Sequence, residues 1–215
     1  MKVYVGEPAG KTLELCKKKG IGAVITPHKK TRYYPYKFPF FFVDNGAFGW
    51  WNRGESFNEK EFFKLLEKIE NFYPQVPDFV VIPDKVAEGI SSVEFSISYY
   101  EKLKELPYKL AFVVQNGMNE ELVKEVLKEL PKVKVLFVGG TLPWKLQSLP
   151  VWAKVAKELS LSLHVGRMGT EGRVTFARLT QVSSIDSSLP LFSKSKLQRF
   201  LQALESPVLP LQIRR

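Results

Sequence analysis

Eight short apolar runs, separated by amphipathic segments, constrain the fold of this chain more than any other feature. Most of them are continuous rather than alternating with polar residues, which is typical of strands that are buried on both faces of a parallel sheet. The eighth run is the most polar of the set. The runs cover residues 2–5, 22–26, 40–44, 78–84, 110–115, 133–140, 161–166 and 182–186.

Helical periodicity fills the intervals between these runs. In the clearest case Asn58 precedes a segment that places Phe62, Leu65, Leu66 and Ile69 on one face, which predicts an N-capped helix. Only the passage between the second and third runs, residues 27–39, lacks such a pattern. The predicted helices cover residues 9–18, 58–70, 92–106, 119–129, 149–159, 171–180 and 194–204.

Eight strands, all but one followed by a helix on this pattern, predict a compact α/β fold, a closed (β/α)8 TIM-like barrel forming a single domain over residues 1–215. The chain is short for this fold, so a doubly wound open sheet remains the alternative. No phosphate-binding glycine motif follows the first strand, where a dinucleotide-binding fold would need one.

The composition indicates a polyanionic partner and a reducing compartment. Lys and Arg number 32 against 22 Asp and Glu, which gives a formal net charge of +10. Cys16 is the single cysteine, so the chain has neither a disulfide framework nor a cysteine-rich zinc site. No apolar run approaches the roughly 20 residues that span a bilayer, and no signal-peptide core opens the chain. We expect a cytoplasmic protein without membrane contact.

Polar residues follow most of the predicted strands directly. An isolated acid in such a position is usually a turn cap, but the carboxyl ends of barrel strands converge on one rim, where the active sites of this fold lie. Three acids, a glutamine and a glycine pair on one rim predict a site. The strand ends are Asp44-Asn45-Gly46, Pro83-Asp84-Lys85, Gln115-Asn116-Gly117, Gly139-Gly140-Thr141, His164-Val165-Gly166 and Asp186-Ser187-Ser188.

Five of these segments resemble, in the same order, motifs of the tRNA-guanine transglycosylases. The segment VDNGAFGWW is similar to their Asp-Ser-Gly-Gly-Phe-Gln, VIPD to their Phe-Asp-Glu-Cys, and VVQNG to their Val-Gln-Gly-Gly. The segment VGGT is similar to Gly-Gly-Leu, and SIDSSLP to Phe-Asp-Cys-Val-x-Pro. The resemblance covers roughly residues 40–190.

The chain departs from that family in ways that resemble its deazapurine-in-DNA branch, which exchanges guanine in DNA. It lacks the Cys-x-Cys-x-x-Cys…His zinc site, and Asn45 and Ala47 replace the family's Ser and Gly. Because nearly all of the 215 residues belong to the predicted barrel, we expect a small footprint that suits DNA rather than folded tRNA. An accessory protein that opens DNA is a further expected partner.

The resemblance implies guanine exchange through a covalent glycosyl intermediate, without cofactor or metal. The incoming base would be a 7-deazaguanine derivative such as 7-cyano-7-deazaguanine. Asp186 matches the nucleophile and Asp44 the general acid/base. The chemistry of base exchange calls for the same two roles, because one carboxylate must attack C1′ while a second group gives a proton to the base or takes one from it. Two acids at one mouth push their pKa values apart.

Guanine presents its N1–H and 2-amino groups as donors and its 6-oxo group as an acceptor. Asp84 is expected to accept from the donor edge, while Gln115 and the amides around Gly139 and Gly140 face the oxygen. Phe48 is expected to stack on the base. His164 is expected either to stack or to accept a hydrogen bond there, with a satisfied rim histidine as the alternative.

Basic residues near the rim are the candidates for contacts with the nucleic-acid backbone. The segment GRMGTEGR, residues 166–173, precedes a predicted helix, and its Arg167 and Arg173 suit a phosphate at the helix N-terminus. Lys145, Arg214 and Arg215 are further candidates. Trp50 and Trp51 are expected to pack the loop or a neighbouring helix rather than to stack on a nucleotide.

Three other functions stay open on the sequence. The chain would be a minimal tRNA-guanine transglycosylase if its polymer were tRNA. A metal-dependent hydrolase would use the same three acids, but such enzymes usually add His or further carboxylate ligands. A non-catalytic nucleic-acid-binding barrel would explain the charge, yet its acids would repel phosphate.

Overall fold

The chain folds into a closed barrel of eight parallel strands in chain order, as predicted. The computed structural model describes residues 1–28, 38–73 and 75–207. The eighth strand, the most polar in sequence, pairs with the first and closes the barrel, with Lys2 opposite Ser184 and Tyr4 opposite Asp186. The strands are β1 (Lys2–Val5), β2 (Gly22–Ile25), β3 (Phe41–Val43), β4 (Val80–Val81), β5 (Leu110–Val114), β6 (Val133–Val138), β7 (Ser162–Val165) and β8 (Ser184–Ser187).

Eight α-helices lie among the described residues, together with a 3-10 turn at Leu189–Phe192. None of these helices is long and apolar enough to cross a lipid bilayer. The passage predicted to lack a helix falls mostly outside the described residues. The helices are α1 (Gly10–Lys18), α2 (Ala47–Trp51), α3 (Glu59–Phe72), α4 (Gly89–Leu103), α5 (Glu120–Lys128), α6 (Leu142–Glu158), α7 (Glu171–Leu179) and α8 (Lys194–Glu205).

Two helices differ from the sequence prediction. Helix α6 begins at Leu142, seven residues before the predicted start at 149, and continues through Pro150. Proline lacks an amide hydrogen and is normally tolerated only in the first turn of a helix. Pro150 is therefore typical of a helix that starts near residue 149. Helix α2 was not predicted, because five residues that include a glycine and three aromatic side chains carry no helical period.

Local chemistry explains the helix that was predicted most clearly. The Asn58 side chain caps α3 by accepting a hydrogen bond from the Glu61 amide, at 3.1 Å. Glu59 and Glu61 lie in the first turn, where acids complement the helix dipole. The apolar face of α3 then packs against the outside of the barrel, and its buried residues are Phe62, Leu65, Leu66 and Ile69.

The barrel interior is a second, mainly aromatic core. The Phe42 and Phe79 rings stack with their centroids 4.5 Å apart, and Tyr4 meets Phe42 edge-on at 4.8 Å. At the amino end of the barrel, Asp78 accepts hydrogen bonds from the Tyr4 hydroxyl, at 2.7 Å, and from Lys2 Nζ, at 2.8 Å. Side chains therefore fill the barrel below its carboxyl end.

The layer above this core contains the candidate site residues. Because side chains alternate along a strand, the residue two positions after an inward-facing core residue also faces the barrel axis. Asp44 follows Phe42 by two positions, and Gly139 follows Phe137 by two. The inward residues of this upper layer include Gly6, Thr26, Asp44, Gln115, Gly139, Gly166 and Asp186, and all of them line one cavity.

Candidate active site

A cavity of about 550 Å³ opens at the carboxyl ends of the strands. This volume lies within the range of about 300–1,000 Å³ that is usual for small-molecule sites. The sequence put forward thirteen residues for the site, the structure describes eleven of them, and ten of these eleven line the cavity. They are Asp44, Phe48, Asp84, Gln115, Gly139, Gly140, Lys145, Arg167, Arg173 and Asp186.

Glycine in the upper layer creates part of this space. A Cβ atom on Gly139 would lie 2.6 Å from Val113 Cγ1 and 2.7 Å from Gln115 Nε2, so no larger residue fits without displacing its neighbours. The Gly139 amide donates to the Val114 carbonyl at 3.0 Å. The sequence suggested that this amide faces the ligand, but its hydrogen is already bonded to the neighbouring strand. Gly139 instead keeps the Gln115 amide accessible.

Asp84 is buried and held between two amide side chains. Asn45 Nδ2 donates to its Oδ1 at 2.6 Å, and Gln115 Nε2 donates to its Oδ2 at 2.5 Å. Burial raises the pKa of Asp84 to about 6, while the hydrogen bonds from Asn45 and Gln115 oppose that rise. The carboxyl group is therefore fixed in position and mostly ionised at neutral pH.

Both amide side chains are themselves anchored to the backbone. Asn45 Nδ2 also donates to the Ile82 carbonyl at 2.8 Å, and Asn45 Oδ1 accepts from the Ala47 amide at 2.7 Å. Gln115 Oε1 accepts from the Ala87 amide at 3.0 Å. Sequence reasoning assigned no role to Asn45. The available signal was its position directly after Asp44. Neighbouring residues at a strand end face different ways, so Asn45 can contact Asp84 while Asp44 faces the barrel axis.

Asp44 combines a turn role with a perturbed pKa. Its Oδ1 accepts a hydrogen bond from the Gly46 amide at 2.7 Å, and Gly46 adopts the left-handed conformation with φ of 81°. Burial raises the pKa of Asp44 to about 7, the Gly46 hydrogen bond opposes this, and the charges of Asp186 and Asp84 add to it. Asp44 can therefore both give and take a proton near neutral pH.

Asp186 is supported from below by a histidine. His164 Nε2 lies 3.0 Å from Asp186 Oδ1, and His164 Nδ1 lies 2.8 Å from Ser184 Oγ. Burial lowers the pKa of His164, with the hydrogen bond to Asp186 opposing, so the ring is neutral at neutral pH. Because the carboxylate only accepts, Nε2 carries the hydrogen and Nδ1 accepts from the Ser184 hydroxyl.

The position of His164 matches the alternative that the sequence left open, a histidine with satisfied hydrogen bonds, rather than a contact with the base. The ring is fully buried and lies in the aromatic core, 4.4 Å from the Phe137 centroid and 5.0 Å from that of Phe42. It does not line the cavity, and it orients Asp186 instead. Strand alternation carries the signal for this, because His164 precedes the inward-facing Gly166 by two residues and so belongs to the layer below.

Lys145 also differs from its expected place, which was on a nucleic-acid backbone. Its side chain is buried, and Nζ donates to the Gly166 carbonyl at 2.6 Å. Burial lowers the pKa of Lys145 to about 7, Arg167 and Arg173 add to that effect, and Asp186 opposes it. The correction follows from helix α6, whose early start turns Lys145 inward toward the cavity.

The two arginines lie at the mouth of the cavity, as expected for contacts with an anionic ligand. The Arg167 guanidinium lies 4.0 Å from the Phe48 ring centroid and donates to the Gly140 carbonyl. Arg173 Nη1 donates to the Arg167 carbonyl at 3.4 Å. The other two candidates for such contacts, Arg214 and Arg215, lie outside the described residues.

Helix α2 holds one tryptophan inside and presents the other to solvent. Trp50 is buried and packs edge-on against His28 with a centroid separation of 4.2 Å, as expected of a packing residue. Trp51, which was also expected to pack, is instead exposed, with its ring centroid 5.6 Å from that of Phe48. His28 Nε2 donates to the Gly46 carbonyl at 2.7 Å, which fastens the residues that follow β3. Sequence reasoning assigned no role to His28.

The cavity therefore contains three carboxyl groups in three different environments, a lysine and two arginines. Within residues 1–28, 38–73 and 75–207, no group of three or more His, Cys, Asp or Glu side chains is arranged to hold a metal ion. Such an arrangement can attack a carbon, transfer a proton and hold the donor edge of a heterocycle. Models of known protein families give no match to this chain, and curated proteins give none either.

Proposed function

We propose that the protein is a nucleic-acid base-exchange glycosyltransferase that replaces guanine in DNA by a 7-deazaguanine derivative. The observation that carries this proposal is the placement of Asp44 and Asp186 in one cavity with Asp84, which two amides hold. Base exchange needs a nucleophile, a proton carrier and a recognition group. The three carboxyl groups supply one of each.

The first half of the reaction forms a covalent intermediate on Asp186. Its carboxylate attacks C1′ of the target nucleotide, the bond from C1′ to N9 breaks, and the electron pair leaves with the guanine. Asp44, protonated beforehand, gives its proton to the departing base. A general acid with a pKa of about 7 suits a reaction at neutral pH.

The second half reverses these movements with a different base. The incoming 7-deazaguanine derivative loses its N9 proton to Asp44 as N9 attacks C1′, and the bond from C1′ to the Asp186 oxygen breaks. Asp44 ends protonated and Asp186 ionised, so both return to their starting states. His164 keeps one oxygen of the Asp186 carboxyl group in place throughout.

Recognition of the base is assigned to the Asp84 cluster. Asp84 accepts from the N1–H and 2-amino donors, and the second hydrogen of Gln115 Nε2 is available for the 6-oxo group. Adenine has an acceptor at N1 and no 2-amino group, so it would set a lone pair against the Asp84 carboxylate and donate nothing to it from this edge. The site is therefore expected to discriminate strongly between the two purines.

The net charge of +10 supports a nucleic acid as the polymer, and the resemblance of the Asn45 and Ala47 positions to the DNA branch supports DNA in particular. The test incubates the protein with labelled 7-cyano-7-deazaguanine and separate pools of single-stranded DNA, duplex DNA and tRNA. We expect label in DNA. Label in tRNA alone would replace this assignment by a minimal tRNA transglycosylase, and loss of incorporation with a chelator would favour a metal-dependent enzyme.

Substitution of the two acids tests the mechanism. Asp186→Asn is expected to abolish exchange and to remove any adduct with DNA that survives denaturation, while the fold remains intact. Asp44→Asn is expected to slow turnover, because the variant loses only the proton carrier. Glu67→Gln, an exposed change on α3, is the matched control. Undiminished exchange by Asp186→Asn would refute the nucleophile assignment.

A further inference from the structure

Exposed aromatic side chains concentrate at the mouth of the cavity. Among the described residues only four large aromatic side chains are exposed: Phe48 at 38%, Trp51 at 48%, Phe72 at 65% and Phe192 at 71%. Phe48 and Phe192 line the cavity, and Trp51 lines the groove beside it. A single exposed ring is ordinary, whereas a cluster of exposed rings marks a binding surface, and three of these four surround a single opening.

The rings stand on two sides of this opening. Phe48 and Trp51 belong to α2, which follows β3, and their centroids are 5.6 Å apart. Phe192 ends the 3-10 turn that follows β8. Strands β1 and β2 separate β8 from β3 around the barrel, so the two aromatic positions are not neighbours. A ligand that contacts both must extend across the mouth.

Cations accompany the rings. The Arg167 guanidinium covers the Phe48 face at 4.0 Å, and Lys196 Nζ lies 5.4 Å from the Phe192 centroid. A repeated pairing of an aromatic surface with a cation matches a polymer of bases and phosphates. Near Trp51, Glu55 is already paired with Arg53 at 2.7 Å. Because Glu55 neutralises Arg53, the cations open to the phosphates of a bound strand are Arg167 and Lys196 beside Phe48 and Phe192.

The groove beside the cavity has room for one neighbouring base. It encloses about 450 Å³, is lined by Trp51, Phe57 and Phe95 among others, and shares Asp84 and Val86 with the cavity. An unstacked base next to the target nucleotide can enter this groove and stack on Trp51. A base within a closed duplex remains stacked on its own neighbours and cannot do so.

We infer that the mouth binds a single strand of DNA, with neighbouring bases stacked on Trp51 on one side and on Phe192 on the other. The identity of the base in the central cavity rests on the proposed function, but the strand contacts do not. The substrate of the enzyme is then single-stranded or already opened DNA. Trp51 and Phe192 grip the strand and take no part in the chemical step.

Binding of labelled oligonucleotides tests this inference. Fluorescence anisotropy at low salt compares a 12-nucleotide single strand with a hairpin duplex of matched composition. We expect the single strand to bind more tightly, and expect Trp51→Ala and Phe192→Ala each to weaken its binding about 5- to 100-fold. Trp51→Phe, which keeps a stacking surface, is expected to retain most of the affinity.

Phe72→Ala is the matched control, since Phe72 is an equally exposed ring at the carboxyl end of α3, which lies at the opposite end of the barrel. We expect it to bind the single strand as the unchanged protein does. Equal or tighter binding of the duplex, or full affinity in the double Trp51→Ala/Phe192→Ala variant, would overturn the inference. Tighter binding of an RNA strand of the same sequence would overturn the choice of DNA.

The same measurements separate this inference from the proposed function. Asp186→Asn is expected to bind the single strand normally while exchanging no base. The unchanged protein could exchange no base with any polymer and still bind single-stranded DNA through Trp51 and Phe192. That result would refute the proposed function and support the inferred binding of a single strand. Circular dichroism of each variant checks that a loss of binding is not a loss of fold.

Discussion

Because of its raised pKa, Asp44 is expected to make stability depend on pH and, under the proposed function, activity as well. Its pKa is about 7 in the folded protein and near 3.8 in the unfolded chain, so the folded state retains its proton over that interval. The free energy of unfolding therefore falls as the pH rises from about 4 to 7, because over this range only the unfolded chain releases the proton. Asp44→Asn removes the loss and is expected to stabilise the fold by about 1–3 kcal/mol at pH 8, with little gain at pH 4.

Thermal unfolding of Asp44→Asn and of the control Glu67→Gln across pH 4–8 measures this effect. A gain that did not grow with pH would contradict the burial of an ionisable Asp44. The proposed exchange reaction is expected to respond to the same group. Because the first half-reaction needs protonated Asp44, kcat/KM is expected to fall above about pH 7 in the unchanged protein.

The amide that holds Asp84 gives a second prediction at the residue scale. Asn45→Ala removes the hydrogen bonds to Asp84 Oδ1 and to the Ile82 carbonyl, both of which are buried. We expect a loss of about 1–3 kcal/mol in the free energy of unfolding, and weaker binding of guanine measured by calorimetry. Asn119→Ala, which removes an exposed helix cap, is the comparison: it should lose stability but not guanine binding.

At the scale of elements, α2 is held in place by His28. A Cβ atom on Gly49 would lie 2.3 Å from His28 Nε2, and the ring cannot retreat easily because Gly46 and Trp50 hold it. Gly49→Ala is therefore expected to destabilise the protein by about 1–3 kcal/mol, although alanine favours helix formation.

Gly172 in α7 is the matched control for that change. A Cβ atom on Gly172 meets nothing within 4 Å, so Gly172→Ala is expected to stabilise the protein by about 0.5 kcal/mol. Urea denaturation midpoints of the two variants should move in opposite directions. Two shifts of the same sign would show that His28 does not constrain α2.

The sequence predicts the barrel well because continuous apolar runs report burial on both faces. It identifies the cavity residues because the carboxyl ends of parallel barrel strands converge on one rim, which brings the polar residues at those ends together. It predicts less well how deeply the side chains of His164 and Lys145 are buried in the barrel. For His164, the position in the aromatic core follows from strand alternation, which the strand-end pattern ignores. For Lys145, the inward direction depends on where α6 begins, and Pro150 obscured that start.

At the scale of the whole molecule, the charge of +10 predicts that the proposed binding of nucleic acid is sensitive to salt. If roughly four cations contact a single strand, affinity is expected to fall on the order of 50-fold between 50 and 200 mM salt. Anisotropy titrations at several salt concentrations measure the slope. Affinity that does not change with salt would exclude phosphate contacts as the main source of binding.

The pairing of β1 with β8 has a consequence for synthesis of the protein. Lys2 meets Ser184 only after about 180 further residues have been made, which takes roughly 10–40 s at the usual rate of translation. Until then the free edge of β1 is open to wrong partners. Asp186 is on β8 itself, so a nascent or truncated chain without its last strand would lack the proposed nucleophile, and the proposed activity would arise only with closure of the barrel.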